Sequence, residues 1–240
     1  MTMSRYRVAP RSGHMENVKR IFGYLRAFSD LSIKFRTGIP DYDQHMDPEE
    51  NETTKQAWKI VYHDATEELP PDAPEPLGNP VRLSLFVDAN LVHDKVTGRA
   101  CTGILTLLNQ TPIDWYSKRQ NTVETATYGS EFVAARIATD QIIDLRYTLR
   151  MLGIPMDGPA WMFGDNLSVI NSSTIPSSTL KKRHHFLAYH RVREAIAAGI
   201  LRFAHISGKE NPSDILTEFC SRAKAWPLIQ PFLGWWHSHT

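Results

Sequence analysis

The sequence predicts an α/β fold, a mixed five-stranded sheet with helices on both faces. Three observations favour this class. Apolar stretches between residues 82 and 117 are separated by turn signals, as in antiparallel strands. From residue 128 onward, helical and strand patterns alternate, as in parallel strands joined by helices. The stretch from Leu83 to Val87 is apolar at nearly every position, which predicts a central strand covered on both faces.

The composition is that of an ordinary globular protein and identifies no partner. The 240 residues are 42% hydrophobic and 22% charged, and a chain of this length can bury a sizeable core. Cys101 and Cys220 form neither a metal-type cluster nor a disulfide framework, which favours a reducing compartment. No apolar run approaches the ~18 residues of a membrane span, and residues 1–7 lack the apolar segment of a signal peptide. We therefore expect a soluble intracellular protein with no membrane partner.

The net charge of +1 conceals a segregation of charge along the chain. Residues 1–45 carry 8 Lys and Arg against 4 Asp and Glu, residues 46–79 carry 2 against 9, and residues 80–240 carry 17 against 13. Two interpretations stay open. The acidic stretch is either a solvated linker between ordinary domains or a tether that masks a polyanion-binding domain in the whole-chain total.

The N-terminal part is too small to form a domain of its own. Residues 14–28 place apolar side chains at helical spacing, and residues 31–35 predict a short strand. One helix and one strand cannot enclose a core, so this piece must pack on something else or be the end of a larger domain. Residues 41–79 are acidic and proline-rich, which predicts a linker with one short ordered segment near residues 58–62.

The compact domain begins near residue 80 and contains the five strands. The predicted strands are about 82–88, 100–108, 113–117, 160–164 and 200–206. A hairpin turn at residues 109–112 joins the second strand to the third, so these two strands are expected to be antiparallel neighbours.

Helices fill the intervals in the second half of the domain. A long apolar stripe begins at Tyr128, with Thr127 as the expected N-cap, and ends at Gly153. The other predicted helices open at Asp165–Asn166, cover the basic stretch 181–198, and run from an Asn211–Ser213 cap to about Phe219. Residues 221–240 form a tryptophan-rich tail.

Four acidic residues fall at the ends of these elements. They are Asp88 at the end of the first strand, Glu131 in the first turn of the long helix, Asp165 after the fourth strand and Asp214 in the first turn of the last helix. Each alone is explained by a turn, a helix cap or a helix dipole. Carboxylates gathered within ~4–6 Å repel one another, and a divalent cation removes that penalty. The set therefore predicts a metal site of the kind used for in-line displacement at phosphorus.

Six segments carry a family resemblance in matching order. They are Val87–Gly103, Pro112–Gln120, Tyr128–Ala135, Phe163–Ser168, Lys182–His185 and Gly208–Thr217. Together they resemble the ribonuclease H domain of copia-type retrotransposon reverse transcriptases, over about residues 80–218. The resemblance implies a ribonuclease H-like domain at 80–220, a C-terminal fragment of the polymerase domain at 1–40, a linker at 41–79 and a tail at 221–240.

The resemblance also implies an activity, a cofactor and a set of site residues. The activity is endonucleolytic hydrolysis of the RNA strand of RNA–DNA hybrids during reverse transcription, with two Mg²⁺ ions, or Mn²⁺ in their place. Asp88, Glu131, Asp165 and Asp214 would be catalytic metal ligands, Asp214 being the weaker assignment. Residues expected to sense the 2′-hydroxyl are Asn90, Thr127, Tyr128 and Asn166. Residues expected to contact phosphates are Ser117, Lys118, Arg119, Lys181, Lys182, Arg183 and His184.

The implied partners are the RNA–DNA hybrid and the remaining Pol domains, in a cytoplasmic virus-like particle or in the nucleus. Gly129 departs from the family, which more often has an acidic residue there, and Glu218 replaces an expected basic residue. A metal cluster of His184, His185 and His190 is less favoured than packing or phosphate contact, because no Cys or carboxylate accompanies them.

Two other functions remain open on the sequence. One is a catalytically inactive ribonuclease H-like remnant that binds nucleic acid or serves as a scaffold. The other is a transposase or integrase-type nuclease that acts on duplex DNA with the same fold. The sequence has no Tyr-X-Asp-Asp polymerase motif, so DNA synthesis is not expected from this chain.

Overall fold

The elements follow the predicted order in the computed structural model, which describes residues 9–45, 52–94, 96–180 and 183–235. The helices are α1 (Ser12–Ala27), α2 (Glu52–Val61), α3 (Thr127–Met151), α4 (Leu167–Thr174), α5 (Phe186–Ala197), α6 (Asp214–Thr217) and α7 (Arg222–Ile229). The strands are β1 (Leu31–Ile33), β2 (Leu83–Asp94), β3 (Arg99–Leu108), β4 (Thr111–Arg119), β5 (Ala160–Gly164), β6 (Leu201–His205) and β7 (Leu233–Trp235). Short 3₁₀ turns cover Asp43–His45, Arg183–His185 and Gln230–Phe232.

Strands β2 to β6 form one sheet in the order β4-β3-β2-β5-β6. The pairs β4–β3 and β3–β2 are antiparallel, whereas β2–β5 and β5–β6 are parallel. The predicted fold class, a mixed five-stranded sheet with three antiparallel strands followed by alternating helices and strands, is therefore confirmed. Phe86 of β2 pairs with Phe163 of β5. Two residues further along, the parallel strands bring Asp88 and Asp165 to the same end of the sheet.

Helices α3, α4 and α5 cover one face of the sheet. Leu83, Leu85 and Val87 of β2 join a buried cluster with Phe132 and Ile142 of α3 on this face. The intervening α3 positions carry small, fully buried residues, namely Ala134, Ala135 and Ala138. Small side chains let the helix lie close to the strands, so the N-terminal end of α3 is held against the end of β2.

The opposite face of the sheet carries an aromatic cluster. Phe86, Trp161 and Phe163 lie together there, and Leu216 of α6 packs against them. The ring of Tyr42 also covers this face, with its centroid 4.9 Å from that of Phe163. Both faces of β2 are therefore buried, as its continuous apolar pattern predicts.

The acidic segment 41–79 contacts the sheet domain at several points. Helix α2 confirms the short ordered segment expected around Trp58, whose side chain is buried. The Arg193 guanidinium lies 4.7 Å from the centre of the Trp58 ring, in cation–π contact. Further along, Glu67 accepts a hydrogen bond from Arg146 at 2.6 Å. This part of the segment is thus fixed to α3 and α5 by specific side chains.

Two short strands, β1 near the start and β7 at the end of the described chain, form a second, two-stranded sheet. Strand β1 pairs antiparallel with β7, with Leu31 opposite Trp235 and Ile33 opposite Leu233. The predicted N-terminal helix is confirmed as α1, and the strand that follows ends at Ile33 rather than at residue 35. No residue of α1 is buried. The expectation that this piece packs on something else is met by β7, which lies in the tail.

Some predicted helix boundaries are wrong. The N-cap of α3 is Ala126, whose backbone is extended, so Thr127 is already the first helical residue. The last predicted helix stops at Thr217 because Glu218 is extended, and a further helix, α7, follows. The basic helix begins only at Phe186, after the 3₁₀ turn. Among helices in the described ranges, none is both long and apolar enough to cross a bilayer.

Candidate metal centre

Asp88 lies in the middle of β2 rather than at its end as predicted, because the strand continues to Asp94. It stands opposite Gly103 of β3 and is half-buried. Its carboxylate accepts a hydrogen bond from the Thr217 hydroxyl. Gly103 makes room for this contact, because a Cβ there would lie 2.6 Å from Thr217 Cγ2. Burial raises the pKa of Asp88 to about 6; the Thr217 hydrogen bond opposes the rise, and the charges of Asp165 and Asp214 add to it. Asp88 is thus a half-buried acid with two further acids close by.

Glu131 lies near the N-terminal end of α3, one position further into the helix than predicted because the helix begins at Thr127. Its carboxylate accepts a hydrogen bond from the Asn166 side chain. Burial raises the pKa of Glu131 to about 8; the Asn166 hydrogen bond opposes this rise, whereas the charges of Asp165 and Asp88 increase it. Glu131 therefore shares one electrostatic environment with both other acids.

Asp165 follows the last residue of β5, and the neighbouring Asn166 caps helix α4. The Asn166 Oδ1 atom accepts hydrogen bonds from the backbone N–H groups of Ser168 at 3.0 Å and Val169 at 3.3 Å. The helix-cap explanation for Asp165 is therefore wrong, since Asn166 performs that role. A Cβ at Gly208 would lie 2.9 Å from Asp165 Oδ2, so glycine lets the loop after β6 approach this carboxylate.

Asp214 is positioned by a buried asparagine in that same loop. The Asn211 side chain, 1% exposed, donates to the Val87 carbonyl at 3.0 Å. Its Oδ1 atom accepts from the Ser213 hydroxyl at 2.7 Å. The loop that leads into Asp214 is therefore attached to β2 at the residue just before Asp88. This attachment explains why the charge of Asp214 acts on Asp88.

Asp214 is also held by a cation from the following helix. Lys224 Nζ lies 2.6 Å from Asp214 Oδ2 and contacts Glu218 as well. These two carboxylates raise the pKa of Lys224 above its ordinary value, so the amine stays charged. Of the four predicted acids, Asp214 is thus the one whose charge is already compensated by a neighbouring side chain.

The structure brings the predicted acids together at one end of the sheet. Asp88, Glu131 and Asp165 come from β2, α3 and the β5–α4 junction, and their charges influence one another. A small pocket of about 10 Å³ lies beside Asp88 and Glu131, and Asn166 lines it in place of Asp165. Among the described residues, these acids do not form a group whose oxygens all lie within 4.8 Å of one another. A cation would have to draw them closer.

The donor set fits a hard divalent cation. The donors of Asp88, Glu131 and Asp165 are all carboxylate oxygens, the type of ligand that Mg²⁺ and Mn²⁺ prefer. The raised pKa values of Asp88 and Glu131 show that their negative charges are poorly compensated where they stand. A divalent cation supplies the missing positive charge and favours the ionised forms.

The predicted substrate residues differ in their availability. Asn90 and Arg119 are half-buried, and Lys118, Thr127, Arg183 and His184 are exposed. The hydroxyls of Ser117 and Tyr128 already donate, to the Leu216 carbonyl at 2.6 Å and the Ser172 hydroxyl at 3.1 Å. The Asn166 side chain already makes hydrogen bonds to two partners, the first turn of α4 and the Glu131 carboxylate. Lys181 and Lys182 lie outside the described residues.

The three histidines separate into two environments. The His190 ring forms a hydrogen bond of 2.7 Å with the Tyr62 hydroxyl and packs on aromatic rings. His184 and His185, in contrast, lie beside a carboxylate, that of Glu124. The expectation that no carboxylate accompanies these histidines is therefore wrong. Glu124 is 60 residues away in sequence, and no local pattern connects it with them.

Sequence reasoning missed four residues that shape these sites: Thr217, Asn211, Lys224 and Glu124. Thr217 and Asn211 lie within a recognised segment, but their contacts to β2 cross more than 120 residues. The Asn-Pro-Ser sequence signals a helix start and does not indicate a bond to a strand. No sequence signal marks Lys224 as the partner of Asp214.

Comparison with known proteins places this chain beside transposon polyproteins. It is 27% identical over 145 residues to the retrovirus-related Pol polyprotein from transposon RE1 of Arabidopsis thaliana, covering 60% of this chain and 10% of that protein. It is 29% identical over 152 residues to the corresponding polyprotein from transposon TNT 1-94 of Nicotiana tabacum, covering 63% of this chain and 11% of that protein. The matched region spans about a tenth of the length of these curated relatives. No protein-family profile matches the chain.

Solved ribonuclease H structures are similar in fold. LC11-RNase H1, isolated from compost, matches with a TM-score of 0.45 and 14% identity, covering 57% of this chain and 92% of that one. The predicted similarity to retrotransposon Pol polyproteins is confirmed. We base the fold class on the strand order and register of the sheet itself.

Proposed function

We propose that this chain is a ribonuclease H of a retrotransposon Pol polyprotein, which hydrolyses the RNA strand of RNA–DNA hybrids with divalent metal ions. The observation that carries the proposal is the gathering of Asp88, Glu131 and Asp165 from three separate elements at one end of the sheet. Sequence similarity to Pol polyproteins supports the same activity. The hybrid and the other Pol domains would be its partners.

In this proposal, Asp88, Glu131 and Asp165 hold the metal ions, and Asp214 is a fourth, weaker ligand. We expect two Mg²⁺ ions, with Mn²⁺ as the alternative. When bound, such ions lower the pKa of the attacking water and neutralise the leaving oxygen of the phosphodiester.

Two neighbouring side chains prepare the carboxylates. Asn166 donates to Glu131 while its Oδ1 atom caps α4, so the orientation of the carboxylate is tied to a helix end. Thr217 donates to Asp88 from α6. Both hydrogen bonds favour the charged carboxylate over the protonated acid, and this keeps oxygen donors available for a cation.

The substrate would lie across the exposed surface next to these acids. Lys118 and Arg119 on β4 and Arg183 and His184 on the 3₁₀ turn offer positive or hydrogen-bonding groups to phosphates. Lys181 and Lys182, which lie outside the described residues, are proposed as phosphate contacts from the sequence alone. Exposed Thr127 and half-buried Asn90 are our candidates for sensing the 2′-hydroxyl that distinguishes RNA from DNA.

The test is cleavage of a labelled RNA–DNA hybrid in Mg²⁺, beside duplex DNA and single-stranded RNA. We expect the RNA strand of the hybrid alone to be cut, and Asp88→Asn to reduce the rate by roughly 100-fold or more. Asp114→Asn is the matched control, because Asp114 is an exposed strand acid on β4. Cutting of duplex DNA would instead support a transposase or integrase-type nuclease.

The ion pair between Lys224 and Asp214 favours a second candidate, a non-catalytic hybrid-binding domain. A lysine that occupies a proposed ligand competes with a metal ion for it. Under this alternative the wild-type protein binds the hybrid, does not cut it in Mg²⁺ or Mn²⁺, and binds equally well after Asp88→Asn.

A further inference from the structure

Glu124, His184 and His185 form a second cluster of metal-binding side chains away from the four acids. One potential ligand atom from each residue lies within 4.8 Å of the other two. The Glu124 Oε2 atom is 3.8 Å from His184 Nε2 and 3.7 Å from His185 Nδ1. We call these three residues the Glu-His-His cluster.

The cluster joins two segments that are distant in sequence. Glu124 lies in the connection between β4 and α3, whereas both histidines lie in the 3₁₀ turn that precedes α5. The side chains of Glu124 and His185 are 7% and 3% exposed, and that of His184 is 56% exposed. Glu124 and His185 therefore form the buried part of the cluster, and His184 lies on its solvent side.

Gly129 provides the space in which the two buried groups meet. A Cβ at this position would lie 2.6 Å from Glu124 Oε2 and 2.5 Å from His185 Cε1. Glycine inside a helix costs about 1 kcal/mol relative to alanine, so a helix glycine favours a packing explanation. Here the packing explanation is specific, since any larger residue would push Glu124 and His185 away from the helix.

The separations in the cluster suit ligands of a shared ion better than direct hydrogen bonds. Hydrogen bonds from imidazole to carboxylate are about 2.7–3.2 Å long, clearly shorter than those observed here. Two ligands of one tetrahedral zinc ion, each about 2.0–2.1 Å from the metal, lie about 3.3 Å apart. A closure of about half an ångström would bring Glu124 and a histidine to that distance, and the exposed His184 is free to turn toward the ion.

We propose that the Glu-His-His cluster binds one Zn²⁺ ion, or a similar borderline-soft divalent ion, through two imidazole nitrogens and one carboxylate oxygen. Three protein ligands leave a fourth, solvent-facing position open for water. The ion would hold the β4–α3 connection against the turn before α5, beside Gly129 at the N-terminal end of α3. Gly129 is two residues from Glu131. This site is separate from the four acids of the proposed nuclease, and it stands whether or not the chain cleaves hybrids.

The test measures Zn²⁺ binding at the Glu-His-His cluster. Other groups that could bind Zn²⁺ must therefore be removed or already occupied. A second group of ligand atoms, from Asp214, Glu218 and Cys220, also lies within 4.8 Å. We would therefore use a tag-free Cys220→Ser parent in excess Mg²⁺, which loads hard-ion sites, and titrate it with Zn²⁺ by calorimetry. Co²⁺ absorption then reports the coordination geometry.

We expect the parent to bind one Zn²⁺, and Glu124→Gln and His184→Asn each to weaken this binding at least tenfold. Gly129→Ala should weaken it too, because the added methyl displaces both buried ligands. His63→Asn is the matched control, since His63 is exposed and its ion pair within the described part of the chain is with its neighbour Asp64. Circular dichroism verifies folding, and His184→Asn keeps the test decisive because His184 is exposed.

The proposal is overturned if the parent binds no Zn²⁺, or if Glu124→Gln and His184→Asn bind Zn²⁺ as tightly as the parent does. A tetrahedral Co²⁺ spectrum that disappears in both variants supports it. Neither readout involves nucleic acid, so failure here is independent of failure of the proposed nuclease activity.

Discussion

At the scale of single residues, Asp88 and Glu131 are held where their charged forms are disfavoured. Burial is the main cause for both acids, and the neighbouring carboxylates add to it. Asn166 and Thr217 compensate for only part of this cost. The acids therefore reduce the stability of the metal-free fold at neutral pH, and the same arrangement favours the uptake of a cation.

The pH dependence of stability should expose this cost. The pKa of Glu131 is raised from 4.5 to about 8, so the folded protein binds more protons than the unfolded chain between these values. Stability then falls as pH rises across that window, and the loss is complete above about pH 8. We expect the free energy of unfolding, measured with urea in EDTA, to drop by ~1–3 kcal/mol between pH 6 and 8.5.

Glu131→Gln should flatten this dependence, because the amide cannot ionise. Asp144→Asn, at an exposed position of α3, is the control and should leave it unchanged. An equally steep fall in Glu131→Gln would contradict the assignment of the raised pKa to Glu131.

At the scale of elements, helix α7 controls how much of Asp214 is available. Lys224 reaches from the first turn of α7 to Asp214 and Glu218. Ser221 caps this helix by accepting from the Lys224 backbone N–H group at 3.4 Å. Lys224 thus takes part both in the N-terminal cap of α7 and in the ion pair with Asp214. Helix α7, in the region predicted to be a tail, therefore has a definite position beside the acids.

Lys224→Met should strengthen Mg²⁺ binding about fivefold, which corresponds to a competing ion pair of ~1 kcal/mol at a partly exposed site. The variant retains an apolar side chain of similar length and removes only the charge. Magnesium titration by calorimetry measures the effect. Lys55→Met, which breaks an exposed pair with Glu52 on α2, is the matched control. Unchanged affinity would argue against Asp214 as a ligand.

At the scale of the whole molecule, the acidic segment is fixed to the sheet domain by a buried ion pair. Glu67 accepts two hydrogen bonds from Arg146, at 2.6 and 3.0 Å, and one from Arg150 at 2.7 Å. The Arg146 side chain is only 4% exposed. Glu67 supplies the counter-charge to this guanidinium, whereas the Gly158 carbonyl, which accepts from it at 2.8 Å, is neutral.

Glu67→Gln should therefore destabilise the protein by ~2–4 kcal/mol, since a buried guanidinium loses its counter-charge. Urea unfolding measures this. Glu52→Gln, which breaks the exposed pair with Lys55, should leave the free energy of unfolding almost unchanged. A similar cost for both variants would show that the segment is not held by this pair.

The spacing of apolar residues predicted the sheet strands and the helices between them, because this spacing depends only on which side of a single element faces the core. The same reasoning placed Glu131 and Asp165 near element ends. It wrongly ended the first strand at Asp88, because the alternation is lost after Asp88 although the strand continues to Asp94. It could not predict the contacts of Thr217, Lys224 or Glu124, because these depend on how distant segments pack. The N-cap of α3 was misplaced for a related reason: Ala126 has no capping side chain.

The ribbon formed by β1 and β7 has a consequence for folding kinetics. It joins residues about 200 positions apart, as in the hydrogen bond from the Ser32 hydroxyl to the Gly234 carbonyl. Closing so long a loop in an unfolded chain costs about 5 kcal/mol of entropy, more than a two-stranded ribbon can repay. We therefore expect the ribbon to form last, after the five-stranded sheet has brought β1 and β7 close together.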